Sequence, residues 1–172
     1  PPICSDIGGA VVNAAITLNG QYPLQVVAKL SEQKNITLSS IDLSARVTLW
    51  QTQDLMDYRD PSHWAALPKA ALVLSGIAPS HAKASLPHWL EALGGGLDIT
   101  LFSALPKGSG LGTSSVLGAA VLACLARVVG EPIDTDTLIA RTSLLEQLMT
   151  TGGGWQDQVG GITRGVKLIR TQ

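Results

Sequence analysis

The sequence predicts an α+β chain in which antiparallel β elements come first and helices follow. Three observations carry that reading. Short β-rich runs separated by turn residues fill residues 8–50, capped helical runs fill residues 113–150, and between them a strand feeds a helix through a glycine-rich loop.

Taken in order, residues 8–16 alternate small and apolar side chains. The turn Asn19-Gly20 follows, then a second run at 22–30 with Pro23 near its start. Two such runs joined by Asn-Gly predict a hairpin. Residues 35–43 (Ile36, Leu38, Ile41) and 45–50 continue the β pattern, and 54–60 read as a charged turn. Residues 62–76 predict a helix capped by Ser62, with Trp64, Leu67, Ala71 and Leu74 on one face and Pro68 after the first turn. A short helix around 87–93 ends at Gly94-Gly95-Gly96. The alternation of Leu97, Ile99 and Leu101 makes 97–105 a strand. A helix over 113–129 stops at Gly130, with Pro132 beyond it. A second, over 135–150, is capped by Asp134 and ended by Gly152-Gly153-Gly154. Residues 165–169 are strand-like.

Composition excludes several classes. Hydrophobic residues at 45% against 15% charged describe a chain that folds, and 172 residues suffice for one domain with a fair core. A net charge of −1 gives no electrostatic case for nucleic acid. Cys4 and Cys124 read as buried free thiols of a reducing cytoplasm. His63, His81 and His88 lack zinc-site spacing. The longest apolar stretch, 116–126, is too short for a bilayer, and no signal-peptide pattern is visible. The first residues, Pro1-Pro2, and the last, Thr171-Gln172, predict an excerpt from a longer protein.

The chemistry concentrates in Pro106-Lys107-Gly108-Ser109-Gly110-Leu111-Gly112-Thr113-Ser114-Ser115. Glycines let a backbone take positive φ and approach an anion closely. The first turn of the following helix offers unsatisfied N–H groups and a partial positive charge. A Walker loop would need Lys before the Thr that follows its last glycine, and a dinucleotide fingerprint would need G-x-G-x-x-G; neither order occurs. A Gly/Ser loop that only caps a core helix is the bland alternative.

Two carboxylates extend the pattern. On a helical wheel Glu146 falls between Thr142 and Ile139, beside the apolar stripe of Leu138, Leu145 and Met149. It is either a magnesium ligand or a shoulder carboxylate that pairs with Arg141 or solvent. Asp157, after three glycines, either accepts the proton of an attacking hydroxyl or sits in a turn or at a helix cap. Loop, Ser114, Glu146 and Asp157 together fit phosphoryl transfer from Mg·ATP, because magnesium takes one or two protein oxygens plus substrate phosphates.

The pattern P-x-G-x-G-L-G-[ST]-S at 106–114 resembles the ATP-phosphate loop of the GHMP small-molecule kinases. Within that family LPKGSGLGTSS at 105–115 and LEQLMTTGGGWQDQVGG at 145–161 resemble the L-fucokinase branch. The kinase domain of that branch also occurs fused to a GDP-fucose pyrophosphorylase. Residues 8–16 are similar to the family's early strand pair. The resemblance implies a GHMP kinase N-terminal domain, an antiparallel-rich sheet packed against helices, truncated at both ends. Residues 1–172 would be part of such a domain, mostly its N-terminal ATP-binding lobe. It implies that Lys107, Gly108, Ser109, Gly110, Leu111, Gly112, Thr113, Ser114 and Ser115 bind the ATP phosphates. Ser114 and Glu146 would ligate Mg²⁺, and Asp157 would be the base at a sugar's anomeric hydroxyl. The implied reaction is ATP-dependent phosphorylation of L-fucose to L-fucose 1-phosphate, on a salvage route to GDP-fucose. A heptose or another hexose, or a non-catalytic nucleotide-binding module, are the alternatives. The family's first motif would lie upstream of Pro1 and its C-terminal lobe beyond Gln172, so the expectation is that this segment is inactive alone.

Overall fold

Residues 9–77, 86–106, 108–149 and 154–170 are described by a computed structural model. Cys4, Gly8, His81, Lys107, Thr150, Gly152 and Gly153 lie outside the described residues. Among these residues six strands form: β1 (Ala10–Ala14), β2 (Leu24–Ser31), β3 (Ile36–Ser40), β4 (Ala45–Leu49), β5 (Gly96–Ser103) and β6 (Val166–Arg170). Five helices accompany them: α1 (Ala66–Leu74), α2 (Leu86–Leu93), α3 (Thr113–Val128), α4 (Thr135–Leu148) and α5 (Trp155–Ile162). Residues Thr52–Arg59 wind as a 3₁₀ helix. The main sheet runs β2-β5-β3-β4, and β1 pairs with β6 in a second, two-stranded sheet. Every pairing is antiparallel except β3 with β5. The α+β architecture read from the sequence is the one observed.

The core forms on one face of the main sheet. Ile36 and Leu38 on β3 lie opposite Leu97 and Ile99 on β5, and all four are buried. Against them pack Ala70 and Ala71 of α1 and Val121, Leu122 and Leu125 of α3. Burying a side chain of this size stabilises the fold by about 1.5–3 kcal/mol. Gly96 opens β5 because a Cβ there would run into the Gln33 and Asn35 carbonyls. Asp134 caps α4 as expected, its carboxylate accepting from the Thr137 N–H at 2.8 Å and the Thr137 hydroxyl at 3.0 Å. Those same bonds, the backbone one foremost, hold the Asp134 carboxyl below its ordinary range.

Three local expectations are corrected. Asn19 and Gly20 do make the left-handed turn, closed by a Leu18–Gln21 bridge. The flanking strands nevertheless part, β1 to β6 and β2 to β5. The turn fixes a chain reversal, but pairing with β5 is what packs Val26 and Ala28 against the core. Ser62 does not cap α1, which starts four residues later; its hydroxyl donates to Asp60 at 2.6 Å instead. Pro68 explains the shift, since proline is tolerated only in a first turn and occupies the third position of α1. Finally, Asp157 lies neither in a turn nor at a helix cap but at the third residue of α5, whose N-cap is Gly154.

Candidate active site

The chain leaves β5 at Ser103 and re-enters regular structure at Thr113. Between them Gly108, Gly110 and Gly112 take φ of +74°, +71° and +65°. Every second residue is thus left-handed, a run in which any side chain would be strained. Gly112 is the N-cap of α3, and among the described residues no side chain caps that helix. The first-turn N–H groups of a 16-residue helix therefore face the loop without a capping side chain from the described residues. The hydroxyls of Ser109 and Thr113, 3.2 Å apart, tie the loop to the first helical residue.

Ser114 and Ser115 diverge. Ser114 is exposed on the cavity side, whereas Ser115 is 2% exposed and donates its hydroxyl proton to Glu146 Oε1. Glu146, on α4, is 4% exposed. Its second oxygen accepts from the side-chain amide of Gln158 at 2.5 Å. The wheel position beside the apolar stripe is therefore a buried one, compensated by neutral donors.

Asp157 is the third residue of α5, half-buried, with its N–H donated to the Gly154 carbonyl at 2.9 Å. A carboxylate in a first helical turn is favoured by the helix dipole. Two glycines seat this helix: a Cβ at Gly160 would overlap the Asn13 amide on β1, and one at Gly161 would overlap Val116 on α3. That close approach sets Asp157 against the loop. On the other side, Gly118 of α3 lets Leu145 of α4 approach so closely that an added Cβ would stand 2.9 Å from it.

The loop, Ser114, Glu146 and Asp157 line one cavity of about 870 Å³. Trp64, Leu67, Leu117 and Met149 give it an apolar wall, and Asp42 adds a third carboxylate to the rim. Sequence reasoning missed several of these parts. Asp42 and His63 carry no motif; Trp64 was placed only on a helix face. Gln158, in contrast, stands beside Asp157 in the WQDQ string, where its spacing from Glu146 was available to be read. Among the described residues, no three His, Cys, Asp or Glu side chains cluster as a metal cage. None of the described helices is long and apolar enough to cross a membrane.

A left-handed glycine loop opening an uncapped helix, set in this α+β frame beside two inward carboxylates, defines a GHMP-type kinase lobe, and the chain belongs to that family. The family profile described as GHMP kinases N terminal domain matches residues 80–165. The chain is 46% identical over 175 residues to the L-fucokinase/L-fucose-1-P guanylyltransferase of Bacteroides fragilis, covering all of this chain and 18% of that protein. It is 33% identical over 167 residues to the bifunctional fucokinase/GDP-fucose pyrophosphorylase of Arabidopsis thaliana, covering 97% and 15%. The chain thus spans less than a fifth of either relative's length. Among solved structures, it matches a D-glycero-D-manno-heptose 1-phosphate kinase from Bacteroides thetaiotaomicron with a TM-score of 0.68 at 17% identity, over 98% of this chain and 49% of that one. It also matches a mevalonate kinase at 0.66 and 14%, over 84% and 43%. At those identities the likeness is one of fold.

Proposed function

We propose that this chain is the nucleotide-binding lobe of an ATP-dependent sugar 1-kinase acting on L-fucose. The observation that carries the reading is the convergence of the loop, Ser114, Glu146 and Asp157 on one cavity. The sugar is taken from the two relatives named for L-fucokinase activity.

In this reading the ATP phosphates lie over residues 107–115, held by backbone N–H groups and the positive end of α3, while the Ser115 side chain is turned onto Glu146 and takes no part in holding them. The apolar wall of Trp64, Leu67 and Leu117 takes the less polar part of the nucleotide. Magnesium fits the donor set. Glu146 and Ser114 offer a carboxylate and a hydroxyl oxygen, the ligands this hard ion prefers. Asp42, Glu146 and Asp157 also give the cavity a negative lining that bare phosphates would meet with repulsion. When bound, the ion neutralises phosphate charge during transfer. Asp157 accepts the proton of the anomeric hydroxyl as that oxygen attacks the γ-phosphorus, while the bond from the γ-phosphorus to the β–γ bridging oxygen breaks and ADP leaves. A reducing cytoplasm is the proposed setting, supported by the free thiol of Cys124.

The test is ADP release by the full-length protein with Mg·ATP, comparing L-fucose, D-arabinose, D-galactose and a heptose. Turnover on L-fucose well above the others supports the assignment. Turnover confined to another sugar keeps the chemistry and replaces the substrate.

A further inference from the structure

Three helices bring one chemical group each to the cavity: Ser114 on α3, Glu146 on α4 and Asp157 on α5. Ordinary packing does not fix the relative position of such groups to the fraction of an ångström that transfer chemistry requires. A polar connection runs between the same three helices. Ser115, the neighbour of Ser114, donates to one oxygen of Glu146, and Gln158, the neighbour of Asp157, donates to the other. Ser115, Glu146 and Gln158 are all at least nine-tenths buried.

We propose that Ser115 and Gln158 are positioning residues that clamp the Glu146 carboxylate in the orientation in which it receives a divalent cation, and that they couple this site to the helix bearing Asp157. The inference rests on the kinase reading above. Both of these donors are neutral. An ionised carboxylate pressed into a core needs donors, but a Lys or Arg in the same place would spend its charge before a cation arrived. A hydroxyl and an amide hold both oxygens and bring no charge of their own. Partners of this kind commonly change metal affinity roughly 10- to 100-fold when removed.

The clamp also links neighbours in sequence. Ser115 sits one residue beyond Ser114 in the first turn of α3, so a shift of Glu146 is felt at both proposed ligands. Gln158 follows Asp157 in α5, so the carboxylate that holds the cation and the one that takes the proton are anchored through one helix turn.

The experiment measures nucleotide affinity without turnover, by calorimetry with a non-hydrolysable ATP analogue. The full-length protein and its Ser115→Ala, Ser115→Thr and Gln158→Leu variants are titrated in EDTA and in saturating Mg²⁺. The ratio of the two dissociation constants is the metal coupling. The clamp predicts that Ser115→Ala and Gln158→Leu each lower this ratio roughly 10-fold or more. Affinity for the metal-free analogue should stay within about twofold, and Ser115→Thr, which keeps the hydroxyl, should retain the coupling. A purely structural role would weaken both affinities together, and that result overturns the clamp. Variants with undiminished coupling overturn it as well, leaving the kinase reading intact. A parent protein whose nucleotide affinity ignores the metal overturns the metal-site reading and the clamp with it.

Discussion

A β-carbon on Gly112 would stand 3.2 Å from that of Asp157 and 3.3 Å from its Cγ and Oδ1. The space a side chain at the last glycine of the loop would need is therefore taken by the candidate base, and a larger residue there fits only if one of them shifts. Gly112 is also left-handed, at φ +65°.

The two constraints separate experimentally. Gly130, which ends α3, has φ +78° and open space where its Cβ would be. Alanine at either position carries a left-handed backbone cost of about 1–2 kcal/mol. We expect both variants to lower Tm, but only Gly112→Ala to lose turnover, by roughly 10- to 100-fold, because it displaces the candidate base. Equal turnover losses at the two sites would detach the effect from Asp157.

Asp157→Asn keeps the shape of the side chain and removes its capacity to take a proton. In the full-length enzyme kcat should fall roughly 10²- to 10⁴-fold, with nucleotide affinity retained. Near-normal turnover in a rapid-quench assay would refute the base role.

Ser114→Ala tests the hydroxyl that faces the cavity. Its expected signature is a rise of roughly 10-fold in the magnesium concentration needed for half-maximal rate, with maximal rate recovered at high metal. An unchanged magnesium profile would remove Ser114 from the ligand set.

Away from the cavity, Lys69 is 3% exposed and its ammonium lies 2.6 and 2.8 Å from the two oxygens of Asp57, which is itself half exposed. Asp57→Ala strands a buried cation. It should destabilise the fold by about 1–3 kcal/mol, less than a fully buried pair because solvent reaches the acid. Adding Lys69→Met should recover most of that loss in urea denaturation. A double variant no more stable than Asp57→Ala would show that the pair has another role.

Periodicity and punctuation were enough for much of this fold. Asp134, Gly130 and the alternation through Leu97, Ile99 and Leu101 mark their elements because each signal acts within a turn or two of chain. Partner choice is not local. The Asn19-Gly20 turn forms as written, yet β1 is claimed by β6, more than 150 residues away in sequence. No propensity encodes that preference. In the cavity, Ser114, Glu146 and Asp157 were legible through residue type and spacing, whereas the wheel left Glu146 between core and solvent. Its burial depends on donors from two other helices, Ser115 and Gln158, and only the packing of α3, α4 and α5 reveals them. Helix α5 carries Gly160 and Gly161 in its last turn, poor helix formers retained for close approach to β1 and α3, and they hid its helical character in the sequence.

The identity of the product tests the proposed reaction most directly. Full-length protein is incubated with Mg·ATP and L-fucose, and the sugar phosphate is examined by phosphorus NMR for coupling to the anomeric proton. A single L-fucose 1-phosphate resonance, absent from the Asp157→Asn reaction on the same timescale, is the predicted result. Phosphate on any other carbon, or no sugar phosphate from a protein that binds the nucleotide, would contradict it.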